Sequence, residues 1–171
     1  MNYHFRKASV SEVPQIWEII QQAIVRRKND GSQQWQDGYP NEDVIKQDIT
    51  KGIGYVLIDD NIVIIGYAAI LFNDEPAYEQ LKGTWLTNGD FAVVHRVAIS
   101  DDYLGKGLAQ KIFLFAEDLA KGNNIFSIKV DTNFDNIPML KILEKLGYTY
   151  CGEVTFRGSF RKAFEKTLPV S

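Results

Sequence analysis

Between Val93 and Lys121 the chain changes its hydrophobic period once, across a pair of glycines, and this change constrains the fold more than any other stretch. Residues 93–99, Val-Val-His-Arg-Val-Ala-Ile, are rich in β-branched side chains and read as a buried strand. Residues 100–104 form a polar turn. Gly105-Lys106-Gly107-Leu108-Ala109 then opens a helix in which Leu108, Ile112, Phe115, Ala116 and Leu119 recur at helical spacing up to Lys121. Strand, glycine turn and helix in that order leave free backbone N–H groups at a helix N-terminus. Such a cluster binds phosphate through directed donors and the positive end of the helix dipole. Glycines there let a bulky anion approach the main chain. Gly-x-Gly alone usually just turns a chain, and two dinucleotide signatures do not fit. The third Rossmann glycine would fall at Gln110, and no Gly-Lys-Ser/Thr is present.

The flanking chain supplies the context. Tyr3 to Lys7 reads as a strand. Ser9-Val10-Ser11-Glu12 has capping-box spacing, with Pro14 in the first turn of the helix that follows. Val13, Ile16, Trp17, Ile20 and Ile24 make its apolar face, and Arg26-Arg27-Lys28 reads as a solvated end. Asp30 to Asn41 is polar yet contains Trp35 and Tyr39, which either pin the loop to the core or line a substrate pocket. Asn41 to Lys51 reads as a second helix. Tyr55–Ile58 and Ile62–Leu71 read as strands joined through Asp59-Asp60-Asn61. Asn73 to Asp90, with Pro76, Gly83 and Gly89, is expected to interrupt the sheet, and excursions of that length are often functional. Ile125–Thr132 reads as a strand, Asn136 as the cap of a helix ending at Gly147, and Tyr148–Phe156 with Phe160–Leu168 as a closing hairpin around Arg157-Gly158-Ser159.

In this setting Leu104-Gly105-Lys106-Gly107-Leu108-Ala109 resembles the central Gln/Arg-x-x-Gly-x-Gly/Ala motif of the GNAT N-acetyltransferase superfamily. Leu104 departs from the usual Arg or Gln. The element order and the Leu146-Gly147-Tyr148 ending, similar to the family's Leu-Gly-Phe, extend the resemblance over most of the chain. It implies an α/β fold over a single domain, 1–171, with a central mixed, mostly antiparallel sheet flanked by helices and splayed at the cofactor-binding strand. It implies acetyl-CoA as cosubstrate. The backbone of Val97, Ala98 and Ile99 would hold pantetheine and thioester, and Gly105, Lys106, Gly107, Leu108 and Ala109 the pyrophosphate. Asn136, with Asn133 in the same turn, would lie near the pantetheine. Connections near the central strand shape the acceptor pocket in this family, which adds Trp85 to Trp35 and Tyr39 as a substrate-contact candidate, with plain burial as its alternative.

Composition excludes several classes of function. The 171 residues are 45% hydrophobic and 24% charged, with net charge −3, which gives no general pull toward nucleic acid or anionic membrane. One cysteine, Cys151, leaves no intrachain disulfide, and with two histidines a metal site is not expected. No apolar run reaches spanning length, so the expected location is cytoplasmic. The expected partner is a small-molecule or peptide amine, with no nucleic acid and no membrane, and with a homodimer left open.

Acetyl transfer to an amine needs a neutral nitrogen, and an alkylamine with a pKa of roughly 10 is mostly protonated at neutral pH. A base must take that proton. His95 is the candidate, because imidazole titrates near neutrality; the alternative is a structural strand histidine. His95-Arg96-Val97-Ala98-Ile99 resembles a His-Ser-Leu-Ala-Val segment of one family member in which the histidine helps remove the proton. That member's second histidine corresponds to Val93 here. The family's acid, a tyrosine in the helix before the Gly-Phe ending, corresponds to Leu143, which leaves Tyr148, Tyr103 or water. Direct attack on the thioester needs no covalent acyl-enzyme. The alternatives are a CoA-binding regulatory module with weak or no catalysis and a protein-interaction domain.

Overall fold

Residues 2–170 are described by a computed structural model. The chain order is β1 (His4–Lys7), α1 (Val13–Asn29), α2 (Glu42–Thr50), β2 (Gly54–Ile58), β3 (Ile64–Phe72), β4 (Lys82–Gly83), β5 (Ala92–Ile99), α3 (Leu108–Gly122), β6 (Ser127–Thr132), α4 (Ile137–Lys145), β7 (Thr149–Phe156) and β8 (Ser159–Thr167). The period-two geometry of a strand sets the layers. In β2, Tyr55 and Leu57 join one core with α3 and Leu143 of α4, while Val56 and Ile58 join another with α1 and α2. Ile16, Ile20 and Ile45 are wholly buried there, each contributing about 1.5–3 kcal/mol by leaving water.

The eight strands form one open mixed sheet in the order β1-β2-β3-β5-β6-β8-β7-β4. Every pairing is antiparallel except β5 with β6. That parallel pair holds only at Ala92 with Ile128 and Val93 with Lys129; beyond it the strands diverge into a V. The sheet is therefore two half-sheets joined at two residue pairs, the splay that the family resemblance implies.

Local chemistry explains the ends. Glu12 Oε1 accepts the Ser9 N–H at 2.8 Å, and the same carboxylate takes two hydrogen bonds from Arg6. Asn41 and Asn136 cap α2 and α4 by accepting from Val44 N–H at 3.0 Å and Met139 N–H at 3.3 Å. Arg157 and Gly158 both have positive φ, 47° and 75°, the requirement of a two-residue hairpin turn.

Three expectations are corrected. The strand expected from Ile62 starts at Ile64, because Asp59 accepts from Asn61 N–H and Val63 N–H and Ile62 sits at φ 63° in the turn. Residues 73–90 extend the sheet as well as leaving it. They form a 3₁₀ turn, Pro76–Gln80, then cross to the far edge, where β4 pairs with β7. The crossing needs glycine on both sides: a methyl group on Gly83 would collide with the Cys151 carbonyl, and one on Gly152 with the Lys82 carbonyl. The loop beyond is held by Glu165, fully buried, which accepts from Leu86 N–H, Thr87 N–H, Thr87 Oγ1 and Ser127 Oγ. Third, Arg26-Arg27-Lys28 is a solvated helix end only at Lys28. Arg26 pairs with Asp101 and donates to the Ile99 carbonyl at 2.8 Å, and Arg27 lies 3.6 Å over the Trp35 ring.

Candidate active site

A bulge in β5 shapes the site. Tyr67 faces Ala98 and Ala69 faces His95, so Arg96 and Val97 together oppose Ala68. Arg96 takes φ 56°, uncommon for a residue with a side chain. Its guanidinium is locked by Asp48, from Nε at 2.8 Å and Nη2 at 2.6 Å, and by the Tyr39 hydroxyl at 2.6 Å. Burial lowers the pKa of Arg96, but the Asp48 carboxylate more than offsets that and the net shift is upward. The bulge and the splay together leave one side of Val97–Ile99 without a strand neighbour.

That side opens on a cleft of about 370 Å³. Val97, Ala98, Ile99, Gly105, Gly107, Leu108 and Ala109 line it, with Asn136, Pro138 and Met139 from the opposite wall. Leu104 lines it where the family has a polar side chain. Lys106 is exposed and does not line it, and Asn133 is buried beside it, donating to Asp135 at 2.6 Å. Gly107 is the N-cap of α3 at φ 69°, and Gly105 has φ 76°. Nothing lies within 4 Å of where a Cβ would stand on either, so the first turn of α3 faces open space. Asn136 combines its cap with a hydrogen bond from Nδ2 to Gln34 Oε1 at 2.9 Å. Gln34 Oε1 also accepts from Thr132 Oγ1 and Asn133 N–H, tying the 30–41 loop to the second half-sheet.

Arg27, Val97, Asn136 and Met139 line this cleft and also a second, inner cavity of about 100 Å³. His95 stands in the inner cavity between two carboxylates. Its Nε2 lies 2.6 Å from Glu75 Oε2 and its Nδ1 3.8 Å from Asp131 Oδ1. An ionised carboxylate can only accept, so Nε2 donates its proton to Glu75. Tyr78, nearly fully buried, donates to Asp131 Oδ1 at 2.6 Å. Burial first, then the Asp131 charge, pushes its phenol pKa well up, so it stays a donor. The Phe156 ring stands edge-on to His95 at 6.2 Å. Burial likewise pulls the Arg27 guanidinium down to about 9.

Of the three aromatic candidates, Trp35 and Tyr39 line the inner cavity and Trp85 does not. Trp85 packs on Tyr78 at 5.2 Å and donates from Nε1 to the Tyr78 carbonyl at 2.9 Å. Tyr148 lines neither space: it is buried against Phe113 at 5.9 Å, its hydroxyl lacks a partner, and burial pushes its pKa upward. Leu143, the family's tyrosine position, is buried and forms part of the inner wall. Cys151 is a buried strand residue whose thiol pKa is raised by burial.

Glu75, Tyr78, Asp131 and Arg161 escaped the sequence reading. Glu75 and Tyr78 sit in the excursion, which carries no motif. Arg161 and Glu165 did leave a signal. They share one strand face with Ala163, and all three are buried, so charges occupy positions that alternation reserves for apolar side chains.

Residues 17–148 match the acetyltransferase (GNAT) family. Over 86 residues the chain is 27% identical to streptothricin acetyltransferase of Escherichia coli, a match covering 50% of this chain and 48% of that protein. The chain thus spans about half the length of that curated relative. A GNAT-family acetyltransferase from Streptococcus agalactiae superposes with TM-score 0.88 at 37% identity, covering 98% of this chain and 96% of that one. A Salmonella typhimurium protein whose structure carries its cofactor acetyl-CoA superposes with TM-score 0.69 at 16% identity, over 100% and 96% of the two chains. The chain belongs to the acetyltransferase (GNAT) family. No helix among the described residues is long and apolar enough to cross a membrane.

Proposed function

We propose that this GNAT-family chain works as a single acetyltransferase domain that moves an acetyl group from acetyl-CoA to a primary amine by direct attack. The observation that carries the reading is the junction of the two spaces. A cleft with an open strand edge and a vacant helix start runs into a cavity holding an oriented histidine, and Arg27, Val97, Asn136 and Met139 line both. The cleft fits the cosubstrate on two counts. The edge of Val97–Ile99 lacks a strand neighbour, with Arg26 and Arg27 of the cleft wall donating to its Ile99 and Val97 carbonyls, and the space around Gly105 and Gly107 admits a pyrophosphate to the N–H groups of α3. Acetyl-CoA, when bound, supplies an activated acetyl carbonyl.

His95 takes the amine proton on Nδ1. Glu75 holds Nε2–H, selects the tautomer and offsets the imidazolium charge that develops, the logic of a base oriented by a third group. Asp131, on the Nδ1 side, attracts the ammonium form of the acceptor. Leu143 has no proton to give. As the C–N bond forms and the C–S bond breaks, CoA leaves as its thiolate and takes a proton from Tyr103, which lines the cleft as Tyr148 does not, or from water. No residue of the chain is required to carry the acetyl group.

His95→Gln keeps a polar side chain and removes basicity. It should lower kcat/KM by about 10²–10⁴-fold, with the deficit shrinking as pH rises and more amine is already neutral. Acetyl-CoA affinity, measured by calorimetry, should hold. A wild-type rate and pH profile in that variant would remove His95 from the role. Leu143 also favours a second reading, a CoA-binding regulatory module: calorimetric CoA binding with no thiol release across an amine panel would establish it instead.

A further inference from the structure

We infer that the inner cavity takes an amine that also bears a carboxylate, with Arg161 as the partner of that carboxylate and His95 at the amine end. The inference rests on the acetyl-transfer reading for the amine and on the side-chain inventory of the cavity for the carboxylate.

Each other ionic group of the cavity already has a partner. Glu75 is taken by His95, and Asp131 accepts from Tyr78. Arg96 is spent on Asp48 and the Tyr39 hydroxyl. Arg157 pairs with Asp37 at 3.2 Å and covers the Tyr39 ring at 3.9 Å, toward the mouth. Arg27 stacks on Trp35 and donates toward the Ala23 and Val97 carbonyls.

Arg161 is only 8% exposed, it lines the cavity, and its Nε, like that of Arg27, is buried without a hydrogen-bond partner. Neither arginine forms an ion pair among the described residues, but Arg27 spends its guanidinium on two carbonyls and the Trp35 ring, whereas Arg161 has only the Phe156 ring beside it. Burial draws its pKa below the usual guanidinium value, with Asp131 the foremost charge opposing the shift. A cation taken out of water without a counter-ion is costly, and a guanidinium fork matches a carboxylate with two parallel hydrogen bonds.

The layout gives this anion an amine to travel with. The Phe156 ring lies 5.7 Å from the Arg161 guanidinium carbon and 6.2 Å from the His95 ring. Cation and base therefore flank one aromatic ring, a span that a small molecule bridges. Glu75 and Asp131 flank His95, and Arg161 stands at the Phe156 ring within the field of Asp131, so the cavity offers both acidic and basic groups to a zwitterion. A volume of about 100 Å³ suits the compact head of an amino acid.

The test is calorimetry on the CoA-saturated protein with matched sets: an amino acid, its methyl ester and its decarboxylated amine. The free carboxylate should improve affinity by about 10–100-fold, the worth of a buried charge-assisted hydrogen bond. Arg161→Gln should abolish most of that preference, and Arg161→Lys, which keeps the charge without the fork, should retain part of it. Esters and plain amines binding as well as the acids would overturn the inference, as would a preference surviving in Arg161→Gln or no binding by any member. The wild-type panel and Arg161→Lys decide the matter if Arg161→Gln fails to fold. Thiol release is read separately. Arg161-dependent binding without release supports this inference and defeats acetyl transfer; release that ignores the carboxylate does the reverse.

Discussion

Replacing Asp48 with Asn tests whether the bulge that opens the cleft is held by charge. Asp48 is 4% exposed, accepts two hydrogen bonds from Arg96, and receives the Tyr67 hydroxyl at 2.7 Å. Asn has nearly the same volume and leaves no cavity, but it strands the Arg96 guanidinium without a counter-charge. Breaking a buried pair from one side costs about 3–5 kcal/mol. The amide still offers one acceptor, so the expected loss is near the low end, about 3 kcal/mol. For a chain of this length each kcal/mol moves Tm by about 2–4 °C, which gives a fall of about 6–12 °C by scanning calorimetry. Arg96→Met added to Asp48→Asn removes the stranded charge and should recover part of the loss, with a coupling above about 1 kcal/mol in the double-mutant cycle. Acetyl-CoA affinity should fall as well, because Arg96 at φ 56° sets the path of Val97 and Ala98. A Tm within about 2 °C of wild type, or a double variant equal to the sum of its singles, would refute the reasoning.

Gly107→Val should weaken acetyl-CoA binding severely and cost about 1–3 kcal/mol of stability, since a β-branched residue is strained at φ 69°; unchanged calorimetric affinity in a folded variant would displace the cosubstrate from this cradle. Tyr39→Phe should raise acceptor KM more than acetyl-CoA affinity changes, whereas Trp85→Leu should lower Tm and leave acceptor KM alone; the opposite pattern would exchange their roles. Glu12 is held down to about 2, chiefly by its hydrogen bonds from Arg6. Its folded pKa is depressed, so its contribution is complete above the ordinary carboxylate pKa and is lost as pH falls from about 4.5 toward 2. Glu12→Gln should flatten unfolding free energy against pH over that window, and an unaltered slope would show that the Arg6 contact contributes nothing.

The fold was legible because its signals are local. The switch from alternation to helical spacing at Gly105–Gly107, the cap at Asn136, and the hairpin at Arg157-Gly158 each sit within a few residues. The cleft was legible for the same reason: its strand, turn and helix are contiguous. The inner cavity was not, because its chemistry is assembled across the sheet. Glu75 meets His95 from another segment, Asp131 comes from β6 and Arg161 from β8. Arg27 was misread because a basic residue at a helix end is solvated by default, and only the Trp35 ring and the Val97 carbonyl recruit it inward. Trp85 and Tyr148 offered bulk and a hydroxyl, but neither property tells a pocket wall from a core.

The segment 73–90 leaves β3 on one half-sheet and lands on β7, at the outer edge of the other. It is a strap across a hinge made of two residue pairs. Glu75 and Tyr78 lie in the strap, the first touching His95 on one leaf and the second touching Asp131 on the other. The surroundings of His95 are therefore set by both half-sheets at once, through one segment anchored to each.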